Sequence, residues 1–118
     1  MKIGFITQKL QLSPDEAKQF WPVYDAYAQE TTKLNDTRYV LIKQYAALYD
    51  TMTDAQANDL LKQALTLDAS FVKLRQTWVP KFEQVITPKQ AAIFFQLDRR
   101  VGLLIDLQLA SAIPLAKQ

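Results

Sequence analysis

Three six-residue stretches of the sequence share one pattern: Leu12-Ser13-Pro14-Asp15-Glu16-Ala17, Met52-Thr53-Asp54-Ala55-Gln56-Ala57 and Ile86-Thr87-Pro88-Lys89-Gln90-Ala91. Each reads as an apolar residue, Ser or Thr, two variable residues, Glu or Gln, and Ala. In such a capping box the hydroxyl accepts a hydrogen bond from the N–H three residues on, while the Glu or Gln side chain binds the N–H of the Ser or Thr. The stretches therefore predict three helix starts, capped by Ser13 with Glu16, Thr53 with Gln56, and Thr87 with Gln90.

These starts divide the chain into a short leader and three long helices, within one domain of residues 1–118. The predicted helices cover residues 3–10, 14–50, 54–85 and 88–112. Only a few residues around position 52 join the second helix to the third, so these two are expected to form an antiparallel hairpin. The predicted fold class is all-α: a long helical hairpin with a short N-terminal helix and an apolar C-terminal helix, as an elongated dimeric bundle or cradle.

The composition excludes several classes of protein. Apolar residues make up 49% of the chain, too many for a disordered protein, and two glycines leave little material for hairpin turns or phosphate-binding loops. The net charge of +2 comes from 14 basic and 12 acidic residues scattered along the chain. Nucleic-acid binding needs basic residues clustered on one face, so we predict no nucleic-acid partner. No apolar run approaches the length of a membrane span.

The chain contains no cysteine and no histidine. This excludes disulfides, structural zinc held by Cys or His, and catalysis by histidine. A helical bundle that holds metal in its core uses Glu together with Glu-x-x-His, whereas only Glu16, Glu30 and Glu83 are present here. We therefore predict no catalytic residue, no cofactor and no metal, and a protein that is not an enzyme.

The fourth predicted helix has apolar residues on more than one face, more than a single neighbouring helix can cover. Its charged group Asp98-Arg99-Arg100 is expected to form a solvated polar stripe, with an ion pair or anion site as the alternative. Excess apolar surface usually marks contact with a partner, and aromatic residues favour the same use. The hypothetical partner or dimer surface consists of Phe94, Phe95, Val101, Leu104 and Ile105, together with Trp21, Tyr24 and Tyr27. The alternative for the aromatic residues is packing in the core of the chain.

Two stretches carry a resemblance to known proteins. Ile86-Thr87-Pro88-Lys89-Gln90 resembles the L-T-x-x-Q (LTXXQ) box of the Spy/CpxP-like family of small bacterial envelope proteins. The first box, followed by Phe20-Trp21-Pro22-Val23-Tyr24, is similar to the start of related helical proteins described as metal-resistance or sigma-factor sensors. Ser13 and Glu16 replace the Thr and Gln of the family's box, which preserves the capping chemistry.

The resemblance implies a periplasmic all-helical protein, exported with a signal peptide that is no longer present, which pairs into a curved homodimer. It implies a holdase-like, ATP-independent chaperone of envelope stress, with unfolded or envelope proteins as clients. The alternative is a sensor or regulatory domain that docks on one envelope signalling partner. From the residues alone, a first segment without the apolar region of a signal peptide fits either a cytoplasmic protein or a chain that begins after a removed targeting segment.

Overall fold

The computed structural model of the chain describes the backbone of residues 3–110 and the side chains of residues 5–103. Within that range the chain forms four α-helices and no strand: α1 (Ile3–Leu10), α2 (Pro14–Leu48), α3 (Asp54–Glu83) and α4 (Pro88–Ala110). The predicted all-α class, with a short first helix and a long hairpin, is confirmed. The molecule is elongated, with principal extents of 55 × 24 × 20 Å.

All three capping boxes form, and each contains both of its hydrogen bonds. The hydroxyls of Ser13, Thr53 and Thr87 accept bonds of 3.1, 3.2 and 3.1 Å from the N–H three residues on. The side chains of Glu16, Gln56 and Gln90 accept bonds of 3.0, 3.0 and 2.9 Å in return. Hydrogen bonds from the backbone and the hydroxyl of Ser13 lower the pKa of Glu16, so this box carries a negative charge at the N-terminus of α2, where the helix dipole favours it.

The long helices α2 and α3 end two residues before the predicted positions 50 and 85. The N–H of Tyr49 binds the carbonyl of Ala46 at 3.5 Å, and the N–H of Val85 binds the carbonyl of Phe82 at 3.0 Å. Both bonds span three residues instead of four, so the last turn tightens and the α-helix stops. Residues 111 and 112, to which the prediction extended α4, lie outside the described part of the chain.

The core lies at the end of the hairpin away from its turn, where all four helices meet; we call this the four-helix end. Its fully packed side chains are Ile6, Leu10, Phe20, Tyr27, Phe82, Ile86, Ala91 and Phe94. The third box also joins two helices there, because the Gln90 amide donates to the carbonyl of Leu10 at 3.1 Å. The opposite end, around the connection at residues 49–53, is the turn end, and its described side chains come from α2 and α3.

Candidate functional site

The structure divides the predicted partner surface. Phe94 and Tyr27 are 0% and 1% exposed, enclosed by the chain's own helices, so their assignment to a surface is wrong. The first half of α4 packs at the four-helix end, where Phe94 meets the rings of Phe20 and Phe82 at centroid distances of 5.6 and 4.7 Å. Core packing, the alternative interpretation of the aromatic residues, therefore holds for Phe94 and Tyr27.

The remaining predicted residues lie in three different places. Trp21, Tyr24 and Phe95 are half-buried and pack against the same core. Val101 is half-buried and lines a cavity between α2, α3 and α4. Leu104 and Ile105 lie outside the residues whose side chains are described. The members of the predicted set whose side chains are described therefore do not form one exposed surface.

A polar layer closes the aromatic core on the side facing the turn end. The hydroxyl of Tyr27 donates to Oδ2 of Asp98 at 2.6 Å, and Nε of Arg75 lies 3.6 Å from the same oxygen. The side chains of Asp98 and Arg75 are only 17% and 31% exposed. Asp98 is thus not part of a solvated stripe: the alternative, an ion pair, is the correct interpretation, and it joins three helices.

A second guanidinium, that of Arg38, lies closer to the turn end than that of Arg75. Arg38 of α2 binds Asp68 of α3 at 3.0 Å, and its guanidinium lies over the ring of Phe71, 4.6 Å from the centroid. Arg75 approaches the same ring at 5.7 Å. Between these groups and the middle of α4 is a cavity of about 450 Å³, lined by both ion pairs and by Val101 and Leu103. Charged groups therefore separate the core from the rest of the hairpin.

Beyond this layer, an apolar groove runs between α2 and α3 to the turn. Its volume is about 470 Å³, and Arg38 and Asp68 are the charged residues at its entrance. Leu61, which lines it, is 58% exposed, and the neighbouring Leu65 is 59% exposed. The other lining residues are apolar or aromatic: Leu41, Ile42, Tyr45, Met52, Ala57, Leu60, Ala64 and Leu67. We call this surface, including Leu61, the turn-end groove.

Sequence reasoning missed the turn-end groove as a site, although the signal for it was present. The apolar pattern of α2 and α3 continues to the turn, whereas α4 has 23 residues against 35 and 30 in the hairpin helices. The 23 described residues of α4 rise about 35 Å from the four-helix end, less than the hairpin helices do, and none of them lines the groove. Within the described residues, α4 therefore leaves the apolar seam near the turn uncovered.

The described lining of the groove is apolar apart from the hydroxyl of Tyr45 and the ion pair of Arg38 with Asp68. In the described part of the chain, no three acidic, histidine or cysteine side chains come together as metal ligands. Between residues 3 and 110, no helix combines the length and apolar character needed to cross a bilayer. Comparison with protein-family models, with curated proteins and with solved structures finds no match to this chain.

The polar layer predicts a pH dependence of stability. Burial is the main cause that raises the pKa of Tyr27 above its ordinary value near 10, and the negative charge of Asp98 raises it further. Above pH 10 the unfolded chain releases this proton while the folded chain keeps it, so the free energy of unfolding falls as pH rises. Between pH 9 and 11 we expect the fall in wild type to exceed that in Tyr27→Phe by about 1.4 kcal/mol, measured by urea unfolding. Equal falls in the two proteins would contradict a buried Tyr27.

Proposed function

We propose that this chain is a non-enzymatic, holdase-like protein-binding module that acts without ATP on exposed apolar segments of unfolded proteins. The turn-end groove is the observation that carries the proposal. Its walls combine half-buried Leu41 and Ile42 with strongly exposed Leu61, so a bound apolar segment would remove a continuous apolar surface from water. Exposed apolar surface of this kind on a folded protein is typical of interaction sites.

The shape of the groove favours clients without a fixed sequence. Apolar side chains line it from two helices, and the polar groups of its entrance, Arg38 and Asp68, already bind each other. Apolar contact is non-directional, so it selects for hydrophobicity and not for one sequence. A flexible thioether from Met52 adds an adaptable contact at the turn.

Two further parts of the proposal, location in the bacterial periplasm and pairing into a homodimer, follow from the resemblance to the Spy/CpxP-like family. In this proposal the protein binds unfolded envelope proteins in the periplasm under envelope stress. The resemblance also allows a sensor that docks on one signalling partner, which differs in predicting a single tight and saturable complex.

Aggregation of chemically reduced lysozyme, followed by light scattering, tests the proposal. We expect the wild-type chain to suppress scattering at about one chain per client. The variant Leu61→Asp with Ala64→Asp places two charges on exposed positions of the groove, and it should need about ten times more protein for the same effect. Both residues are exposed, so the fold is expected to tolerate the change.

A matched control places the same charges elsewhere on the hairpin. Val40 and Ala47 are exposed residues of α2 that do not line the groove, and Val40→Asp with Ala47→Asp should retain wild-type suppression. No delay of scattering by wild type would remove the holdase proposal, and equal losses in both variants would remove the groove as its site. Capture of a single envelope protein without holdase activity would favour the sensor.

A further inference from the structure

The cavity between α2, α3 and α4 differs from the turn-end groove in its charge; we call it the three-helix cavity. Each helix contributes one arginine to its lining, namely Arg38, Arg75 and Arg99. Two aspartates, Asp68 and Asp98, lie in the same lining. The described lining therefore carries one more positive charge than negative. An excess of a single positive charge favours an anion, and a monoanion in particular.

Arg99 supplies the uncompensated charge. Arg38 pairs with Asp68 at 3.0 Å, and Arg75 lies 3.6 Å from Asp98. Among the residues whose side chains the structure describes, no carboxylate lies within ion-pair distance of Arg99. Its side chain is also exposed, so its guanidinium can turn toward a bound anion without breaking an existing ion pair.

The other two guanidinium groups lie near one buried ring. The guanidinium carbon of Arg38 is 4.6 Å from the centroid of Phe71, and that of Arg75 is 5.7 Å from it. Nε of Arg75 forms no hydrogen bond with any described residue, so Asp98 compensates the charge of Arg75 without satisfying this donor. Because water screens a half-buried charge less than an exposed one, an anion beside these groups is attracted more strongly than at the open surface.

Gly102 leaves room beside Arg75 on the α4 side of the cavity. A Cβ atom at position 102 would lie 3.7 Å from Nη2 of Arg75, which is an ordinary van der Waals distance. Packing against the described residues therefore does not require glycine at this position, although glycine weakens the interior of a helix relative to alanine. The effect of the glycine is open space next to a guanidinium, where a carboxylate can approach.

Apolar side chains line the cavity beside the charged groups. Phe71 is buried, whereas Val72 and Leu103 are 52% and 59% exposed. Together with Val101 they offer an apolar surface that a ligand can cover. The volume of about 450 Å³ lies within the range of roughly 300–1,000 Å³ that is typical of small-molecule sites. Arginine donors next to an apolar wall are complementary to a carboxylate with an apolar body.

We propose that the three-helix cavity binds a small organic monocarboxylate. Arg75 and Arg99 hold the carboxylate, which neutralises the excess charge of the lining. The apolar body lies against Val72, Val101 and Leu103 and removes their surface from water. This site goes beyond the proposed function and does not depend on it, because these five residues do not line the turn-end groove.

Isothermal titration calorimetry of the full chain with octanoate tests the proposal. Octan-1-ol has the same aliphatic chain without the charge, and acetate has the same charge without the long chain. We expect octanoate to bind one to one and at least about tenfold more tightly than either control, because only octanoate uses both parts of the cavity. Equal affinity for octanoate and either control, or no saturable binding of octanoate at millimolar concentration, would overturn the proposal.

Two arginine variants test the contact with the carboxylate. Arg99→Gln removes a charge from the lining, whereas Arg100→Gln removes the neighbouring exposed charge, which does not line the cavity. Both variants change the net charge of the protein equally. We expect the affinity for octanoate to fall at least about fivefold in the first and less than about twofold in the second. Equal losses in the two variants would overturn the proposal, since they would show attraction to the overall charge alone.

A second set of variants locates the ligand in the cavity. Gly102→Leu fills the space beside Arg75 and should lower the affinity for octanoate about tenfold. Ala92→Leu, at an exposed position of α4 outside the cavity, and Leu61→Asn in the turn-end groove should both retain wild-type affinity. Equal affinities for Gly102→Leu and Ala92→Leu, or a loss in Leu61→Asn alone, would overturn the proposal, the latter by placing octanoate in the groove. If octanoate binds as expected while wild type fails to protect reduced lysozyme, the proposed function fails and this site stands.

Discussion

Replacing Phe94 with Ala is expected to lower the free energy of unfolding by about 3–5 kcal/mol, the largest effect of any single truncation in this chain. Phe94 is completely buried and packs in the core of the four-helix end. Its centroid lies 4.7 Å from that of Phe82 on α3 and 5.6 Å from that of Phe20 on α2. Truncation therefore removes apolar contacts between three helices and leaves a cavity that rigid neighbouring rings cannot fill.

Urea unfolding measures this loss, with Phe5→Ala as the matched control. Phe5 loses the same atoms but is 43% exposed on α1, so its truncation is expected to cost less than about 1 kcal/mol. A domain of this size has roughly 5–15 kcal/mol of stability, so Phe94→Ala can leave a large unfolded population. Phe94→Leu retains much of the volume and should cost clearly less than Phe94→Ala. Equal losses from Phe94→Ala and Phe5→Ala would contradict the position of the core.

The helix starts could be predicted from the sequence because each is encoded within six residues. Ser13, Thr53 and Thr87 form the caps that the pattern predicts, and α2, α3 and α4 begin at the residue that follows. The predicted ends of α2 and α3 were less accurate than the predicted starts, because no glycine or proline marks either end. The last turn of each helix tightens instead through hydrogen bonds between residues three apart.

The site was harder to predict, because burial depends on which helices meet. The sequence shows that α4 is apolar on several sides, but it does not show that Phe94 faces its own hairpin. Tyr27 was assigned to the surface for the same reason, although its hydroxyl binds Asp98, 71 residues away in the sequence. Contacts at such separation have no local pattern. The groove, in contrast, follows from comparing helix lengths, a step that needs only the three predicted starts and ends.

Substitution of Asp98 by Leu is expected to lower the free energy of unfolding by about 2–4 kcal/mol, because it removes the carboxylate that accepts the hydrogen bond of Tyr27 and pairs with the charge of Arg75. Nε of Arg75 is already buried without a hydrogen bond, and the loss of the carboxylate leaves its charge without compensation. The figure lies below that for a fully buried pair, since the Arg75 side chain is 31% exposed and water screens part of the interaction.

The ion pair of Arg38 with Asp68, which joins α2 to α3, supplies the control for this prediction. Asp68→Leu removes an aspartate that also pairs with an arginine, Arg38, but its side chain is 65% exposed. The two substitutions make the same chemical change within a helix, so their difference reports burial; Asp68→Leu should cost no more than about 1 kcal/mol. Asp98→Asn keeps an acceptor for Tyr27 and should fall between them, which separates the hydrogen bond from the charge. Equal losses for Asp98→Leu and Asp68→Leu in urea unfolding would mean that water reaches both pairs alike. The ion pair of Asp98 with Arg75 would then not be the partly buried layer between the aromatic core and the apolar groove.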